Sequence, residues 1–146
     1  MNRANAPLRL TALDPADLEA ISAALQDAVA QLGDFEFSAK LRSFTIAFNR
    51  FRWEASGRKQ RIRCGLQIGN VLAARSHNLR RGAEEAVVNL LSISFEPTEA
   101  PSGEVVLVFS GGGEMRLEVE CLDVAMADIS QPWPATRRPG HDTDQS

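Results

Sequence analysis

The chain has no tyrosine, two cysteines and two histidines among its 146 residues. Each scarcity removes a class of chemistry. Cys64 and Cys121 have neither CxxC spacing nor a neighbouring histidine, so no zinc or redox motif forms around them. Each is expected to be a small buried hydrophobe at an inward-facing strand position, reduced in a reducing compartment. His77 falls in an expected loop and His141 in the tail, without a carboxylate or second ligand at metal spacing, so both are read as solvated and no metal or cofactor is expected. There is no nucleophile elbow and no pair of carboxylates at a catalytic spacing, and the expectation is that the protein is not an enzyme. Long apolar runs are missing too. The apolar fraction is 44%, and no stretch approaches the roughly 18 residues of a membrane span. Residues 1–10 carry Arg3 and Arg9 but no apolar segment or small-residue cleavage pattern, which points to the cytoplasm.

A chain of this length fits one domain and buries roughly 70% of its unfolded surface without a staple. That domain is expected over residues 1–135. After Gln131-Pro132-Trp133-Pro134 comes a tail of Pro, Arg, Asp, Thr and Ser, expected to be disordered over 136–146 with Trp133 the last residue tied to the body. The charge is uneven. From Lys40 to Arg81 there are eleven Lys or Arg and one acid, Glu54, giving +10, whereas the remainder holds five basic and eighteen acidic residues and the total is −3.

Residues 8–13 alternate as a short strand. A helix should follow, with Asp14 as its cap, Pro15 at the first helical position, Asp17 and Glu19 at the positive end of the dipole, and an apolar stripe of Leu18, Ile21, Leu25, Ala28, Val29 and Leu32 closed by Gly33. Its polar face holds Glu19, Gln26, Asp27 and Gln31 rather than cations, which favours packing on a sheet over lying on a membrane. From Asp34 onward the chain reads as strands: 35–37, 44–54, 62–68 continuing to 74, 86–95, and the hairpin of 105–109 with 115–121 across Ser110-Gly111-Gly112-Gly113-Glu114. Ile62, Cys64, Leu66 and Ile68 share one face, as do Val87, Leu91, Ile93 and Phe95. Residues 122–129 extend the last strand or form a short helix. The triple glycine joins strand to strand without a GK[ST] ending, so it is a turn and not a phosphate cradle. The fold class is therefore α+β: a bent antiparallel sheet or partly closed β-barrel of about seven to eight strands with one N-terminal helix packed on it.

The segment 44–54 holds four of the nine phenylalanines and tryptophans. Phe44, Ile46 and Phe48 share a parity that Phe51 and Trp53 break, so a bulge near Asn49-Arg50 is expected to rotate the second half. Around the turn at Gly57, the residues Arg50, Arg52, Trp53, Arg58, Lys59, Arg61 and Arg63 form the candidate interaction surface, with Arg75, Arg80 and Arg81 on a later loop. A shared polar face of arginines beside Phe51 and Trp53 suits phosphates and stacked bases. Equally, those arginines pair with acids of neighbouring strands such as Glu118 and Glu120, or line a self-association surface. No RNP-type or OB-type signature supports the nucleic-acid reading. The expected function is thus a small non-enzymatic interaction or self-association module, with nucleic-acid binding through the basic hairpin as the alternative.

The pattern Asp17-Leu18, Ile21-Ser22, Gln26-Asp27-Ala28, Gly33-Asp34, Asn49-Arg50-Phe51-Arg52-Trp53-Glu54, then Pro132-Trp133 with Arg137, Arg138 and Pro139 resembles an uncharacterised family of small alphaproteobacterial proteins. The resemblance spans nearly the whole chain. It implies a bacterial, cytoplasmic, single-domain protein and brings no activity, substrate or catalytic residue.

Overall fold

Residues 7–55, 59–80 and 82–135 are described by a computed structural model. Among them are one α-helix, α1 (Pro15–Ala24), and eleven strands: β1 (Arg9–Ala12), β2 (Val29–Gln31), β3 (Phe35–Ser38), β4 (Ser43–Phe51), β5 (Gln60–Ile68), β6 (Val71–His77), β7 (Val87–Pro97), β8 (Gly103–Phe109), β9 (Glu114–Val119), β10 (Val124–Asp128) and β11 (Trp133–Pro134). All pair antiparallel in the order β1-β10-β5-β4-β2-β7-β8-β9-β6, with β3 added on β4 and β11 on β5. The path ends at β1 and β6, so the sheet bends around one core without closing into a barrel. Eleven strands exceed the expected seven to eight because β2 and β11 are very short, 62–74 divides at Gly69-Asn70 into β5 and β6 with different partners, and 122–129 contains β10, a separate strand between β1 and β5 rather than a continuation of β9.

Asp14 caps the helix by accepting from the Asp17 amide at 2.8 Å. Leu18, Ile21 and Leu25 are fully buried against β1 and β7, which is worth about 1.5–3 kcal/mol per side chain as an upper bound. The helix stops well before Gly33. Asp27 takes the left-handed conformation at φ 63°; its amide donates to the Leu90 carbonyl at 2.8 Å, and the Leu90 amide donates to Ala28 at 2.9 Å. The β7 edge thus captures 29–31 as β2, and those ladder bonds outweigh the helical stripe that continues in sequence.

The predicted bulge in β4 is absent. Phe44 through Phe51 pair with Ile68 through Arg61 in one unbroken register, and Phe48 and Phe51 are both buried, on opposite faces. The irregularities lie elsewhere, between Leu90 and Ser92 in β7 and between Val71 and Ala73 in β6. In β7 the extra residue brings Leu90 and Ile93 inside and leaves Val87 and Leu91 exposed, correcting the inward set expected there. The β8–β9 hairpin forms as read, with Gly111 and Gly112 at φ 78° and 84° in its turn. Cys64 is buried in the core, whereas Cys121 lies beyond β9, half-buried, and accepts from the Asn70 side-chain amide at 3.2 Å. The turn at Gly57, Arg58, Arg81, His141 and the tail over 136–146 fall outside the described residues.

Candidate functional site

Strand pairing decides which basic residues can meet anything. On β4 the inward parity of Phe44, Ile46 and Phe48 continues to Arg50, and on β10 the parity of Val124 and Met126 continues to Asp128. Asp128 pairs with Cys64, which pairs with Phe48, so Asp128 lies diagonally across β5 from Arg50. The two inward charges meet. Arg50 Nε donates to Asp128 Oδ1 at 2.9 Å and Nη2 to Oδ2 at 2.9 Å. On its other edge Nη1 and Nη2 donate to Glu54 Oε1 and Oε2 at 3.0 and 2.7 Å, and Nη1 also reaches the Phe51 carbonyl at 3.2 Å. Five contacts match the five N–H donors of a guanidinium. Asp128 Oδ2 in turn accepts from the Leu8 amide at 2.8 Å, tying the start of β1 to the same knot.

Burial opposes the charge on Arg50, but its hydrogen bonds to Glu54 and Asp128 more than offset this and keep it protonated at any accessible pH. Burial likewise pushes the Glu54 carboxyl up, and the bonds from Arg50 outweigh it, leaving Glu54 below the usual carboxylate range. Cys64, in the core under this knot, is pushed up to about 12 by burial and is a poor nucleophile.

The seven residues of the basic hairpin therefore do not form one open face. Arg50, Arg52 and Arg61 are 0%, 1% and 6% exposed. In this register Arg50 pairs with Ile62 and Arg61 with Phe51, so Arg50 and Arg61 point to opposite sides of the sheet. Arg52 Nη1 donates to Gln60 Oε1, and its Nε lies 3.6 Å from Glu54 Oε2. Arg61 donates to the Asn49 carbonyl at 3.3 Å. Arg63 is half-exposed, bonded to Asn49 Oδ1 at 3.0 Å and 3.5 Å from Asp34. Lys59 is exposed. The acids that compensate this end are Asp128, Glu54 and Asp34, not Glu118 and Glu120; Glu120 instead pairs with Arg42 at 2.6 Å.

Sequence reasoning missed the outer face of the same sheet. Directly paired residues share a face, so the register builds four outward rows: Thr11–Ala125–Gln67–Thr45–Glu36, then Arg9–Ala127–Gly65–Ala47, then Arg63–Asn49–Val29, then Trp133–Arg61–Phe51. Alanine, glycine and threonine form the floor of a groove of about 490 Å³, walled on one side by Asp34 and Glu36. Trp53 packs edge-on against Phe51 with ring centroids 4.7 Å apart, and Trp53 and Trp133 are each 37% exposed. Alternation in β10 was the available signal, hidden because that segment had not been resolved into strand or helix. Among the described residues no three His, Cys, Asp or Glu gather as metal ligands, and no helix is long and apolar enough to cross a membrane.

A family described as protein of unknown function (DUF2948) matches residues 8–141. The chain belongs to that family. Its match takes in the Arg50 knot, the groove and both tryptophans, so the site lies wholly within the shared domain. No curated protein and no solved structure matches the chain.

Proposed function

We propose that the protein is a non-enzymatic interaction module of the bacterial cytoplasm, and that its contact surface is the outer face of the β1–β10–β5–β4–β3 sheet. One observation carries the reading: a sheet face holds a groove floored by Ala47, Gly65, Ala125 and Ala127, with two half-exposed tryptophans and the exposed Ile129 farther along the same strands. Solvent-facing strand positions ordinarily favour β-branched and aromatic side chains over Ala and Gly, and an apolar, hollowed sheet face rimmed by charge is the form of a protein-binding surface. The nucleic-acid alternative loses its main support because Arg50, Arg52 and Arg61 are buried and bonded to groups of the same chain.

Two measurements test this. A salt titration with a fluorescent oligonucleotide should give a Kd no tighter than about 10⁻⁴ M at physiological salt. In extract of cells that naturally produce it, the chain should elute in a complex larger than its own 15.9 kDa, and Gly65→Arg should collapse that complex to monomer. Tight, salt-sensitive oligonucleotide binding, or monomeric elution of the unaltered chain, overturns the reading.

A further inference from the structure

We infer that the partner on this face is a second copy of the chain, packed sheet to sheet about a two-fold axis that runs along β5 in the plane of the contact. The inference rests on the interaction-module reading and names its partner. Around the groove the strand order is β1-β10-β5-β4-β3, with β5 in the centre. A two-fold axis along the central strand lays β1 of one copy over β3 of the other and β10 over β4, while each row stays at its own height along the strands.

The charges on the face fit that operation. Arg9 stands on the β1 flank and Glu36 on the β3 flank, both exposed, with Asp34 beside Glu36. Between them lie the small residues of the floor. The axis therefore sets Arg9 of each copy against the acidic flank of the other, twice per dimer, one row or about 7 Å along the strands from Glu36 and within reach of an arginine side chain. Gly65 and the alanines lie between the floors, and Gln67 of each copy meets its counterpart on the axis. At the far end of the face, Trp133 pairs with β5 on the β10 side, while Phe51 and its stacked Trp53 stand on the β4 side. The same axis brings Trp133 of one copy onto Trp53 of the other. Arg63 lies on the axis itself but leans toward Asn49 and Asp34, so the two symmetry-related guanidiniums diverge. Five strands at about 4.8 Å and seven residues at about 3.3 Å give a face on the order of 550 Å² in projection, commensurate with the roughly 800 Å² of accessible surface per partner in a standard interface.

Gly65 supplies a clean test, because a Cβ built there meets nothing within 4 Å and a side chain is accommodated by the isolated fold. Sedimentation of the purified full chain should give twice 15.9 kDa at micromolar concentration. Gly65→Arg should sediment as a monomer with an unchanged circular dichroism spectrum and a cooperative melt whose midpoint no longer depends on protein concentration. Arg9→Glu should weaken dimerisation by about tenfold or more, and Arg9→Glu with Glu36→Arg should recover most of it, a rescue that a merely structural role for either residue does not produce. A monomer at hundreds of micromolar, a dimer that persists in Gly65→Arg, or a charge swap without rescue overturns the inference. If the purified chain is monomeric while its complex in cell extract remains sensitive to Gly65→Arg, the partner is another protein and the interaction reading stands without the second copy.

Discussion

Two arginines of this protein are held by carboxylates at nearly the same distances, and only their surroundings differ. Arg50 lies at the inner end of the β4–β5–β10 sheet with Asp128 and Glu54 at 2.7 to 3.0 Å and no exposed side-chain surface. Arg116 lies on the outer face of β9 with Glu114, Glu96 and Glu104 at 2.7 to 3.0 Å, and its side chain is 27% exposed. Contact geometry alone would rank them equal. Solvent does not: water screens an exposed pair and solvates whatever a mutation leaves behind, whereas a buried charge stripped of its partner has no substitute. The Arg50 knot also joins segments far apart in the chain, the start of β1, the end of β4 and the end of β10, while Arg116 bridges three successive strands of a meander already secured by its ladders.

The widest separation between the two should come from Arg50→Ala. It leaves Asp128, almost wholly buried, without its counter-ion, and breaking a buried pair from one side costs about 3–5 kcal/mol. For a domain of this size that is a fall in Tm of roughly 10–15 °C. Replacing the group whole, as Arg50→Met with Asp128→Leu and Glu54→Gln, should recover much of the loss, since a buried ion pair contributes little net stability over well-packed apolar groups. Thermal melts of the two variants decide it. A loss below about 1 kcal/mol for Arg50→Ala would erase the contrast with Arg116.

Acid titration gives a smaller handle. Glu54 is held below its ordinary value of 4.5, burial being outweighed by the bonds from Arg50. A carboxylate depressed in the folded state contributes stability that is present above its unfolded value and is lost as pH falls through the folded one. Unfolding free energy should therefore decline as pH drops below about 4.5, and Glu54→Gln should flatten part of that decline. Glu104 is also depressed, through its bonds from Arg75 and Arg116, but those partners are 66% and 27% exposed where Arg50 has no exposed surface, so water screens the pairs and Glu104→Gln should flatten the curve less. Equal slopes in the two variants would mean that burial does not separate the networks.

Thiol labelling reads the same difference locally. Cys121 is half-buried while Cys64 is enclosed, with its thiol pushed up to about 12. Native protein should lose one thiol to Ellman's reagent and protect the other until unfolding, and Arg50→Ala should speed the second reaction because the strand end above Cys64 opens. Protection of Cys64 unchanged by Arg50→Ala would show that the knot does not hold that end of the core shut.

How much of this was legible follows from the same strands. The hairpin β8–β9, the inward face of β5 and the start of α1 were readable because period, turn glycines and capping residues agree there. Strand β4 was misread on one assumption, that Phe51 and Trp53 must share the core face of Phe44, Ile46 and Phe48. Given that assumption, a bulge at Asn49-Arg50 was required; the chain instead keeps a straight pleat and brings Asp128 to the arginine from 78 residues away. In β7 the opposite happened, and a bulge appears where an unbroken apolar parity had been read. Both outcomes depend on what the neighbouring strand presents, which periodicity within one segment does not contain. The groove was hidden for the same reason, since its floor is assembled from β4, β5 and β10 and exists only once their order is known.

The smallest effect should come from Arg116→Ala, and it tests the comparison most sharply because the number of carboxylate partners alone predicts the reverse. Arg116 faces three carboxylates, more than Arg50 does, and is held well above its ordinary value by bonds to Glu96, Glu114 and Glu104. Removing it leaves Glu104 with Arg75 still beside it and leaves Glu96 and Glu114 free to turn into water. Like charges then stand near one another across β7, β8 and β9, at a separation where salt screens them. Tm should move by no more than about 2 °C, and the difference from the unaltered protein should disappear as sodium chloride is raised toward 1 M, where the Debye length falls to about 3 Å. The loss in Arg50→Ala should persist in the same salt, because the Asp128 carboxylate it leaves unpaired is only 1% exposed. A salt-insensitive loss in Arg116→Ala comparable to that of Arg50→Ala would mean that carboxylate contacts, rather than their burial, set the worth of an arginine in this sheet.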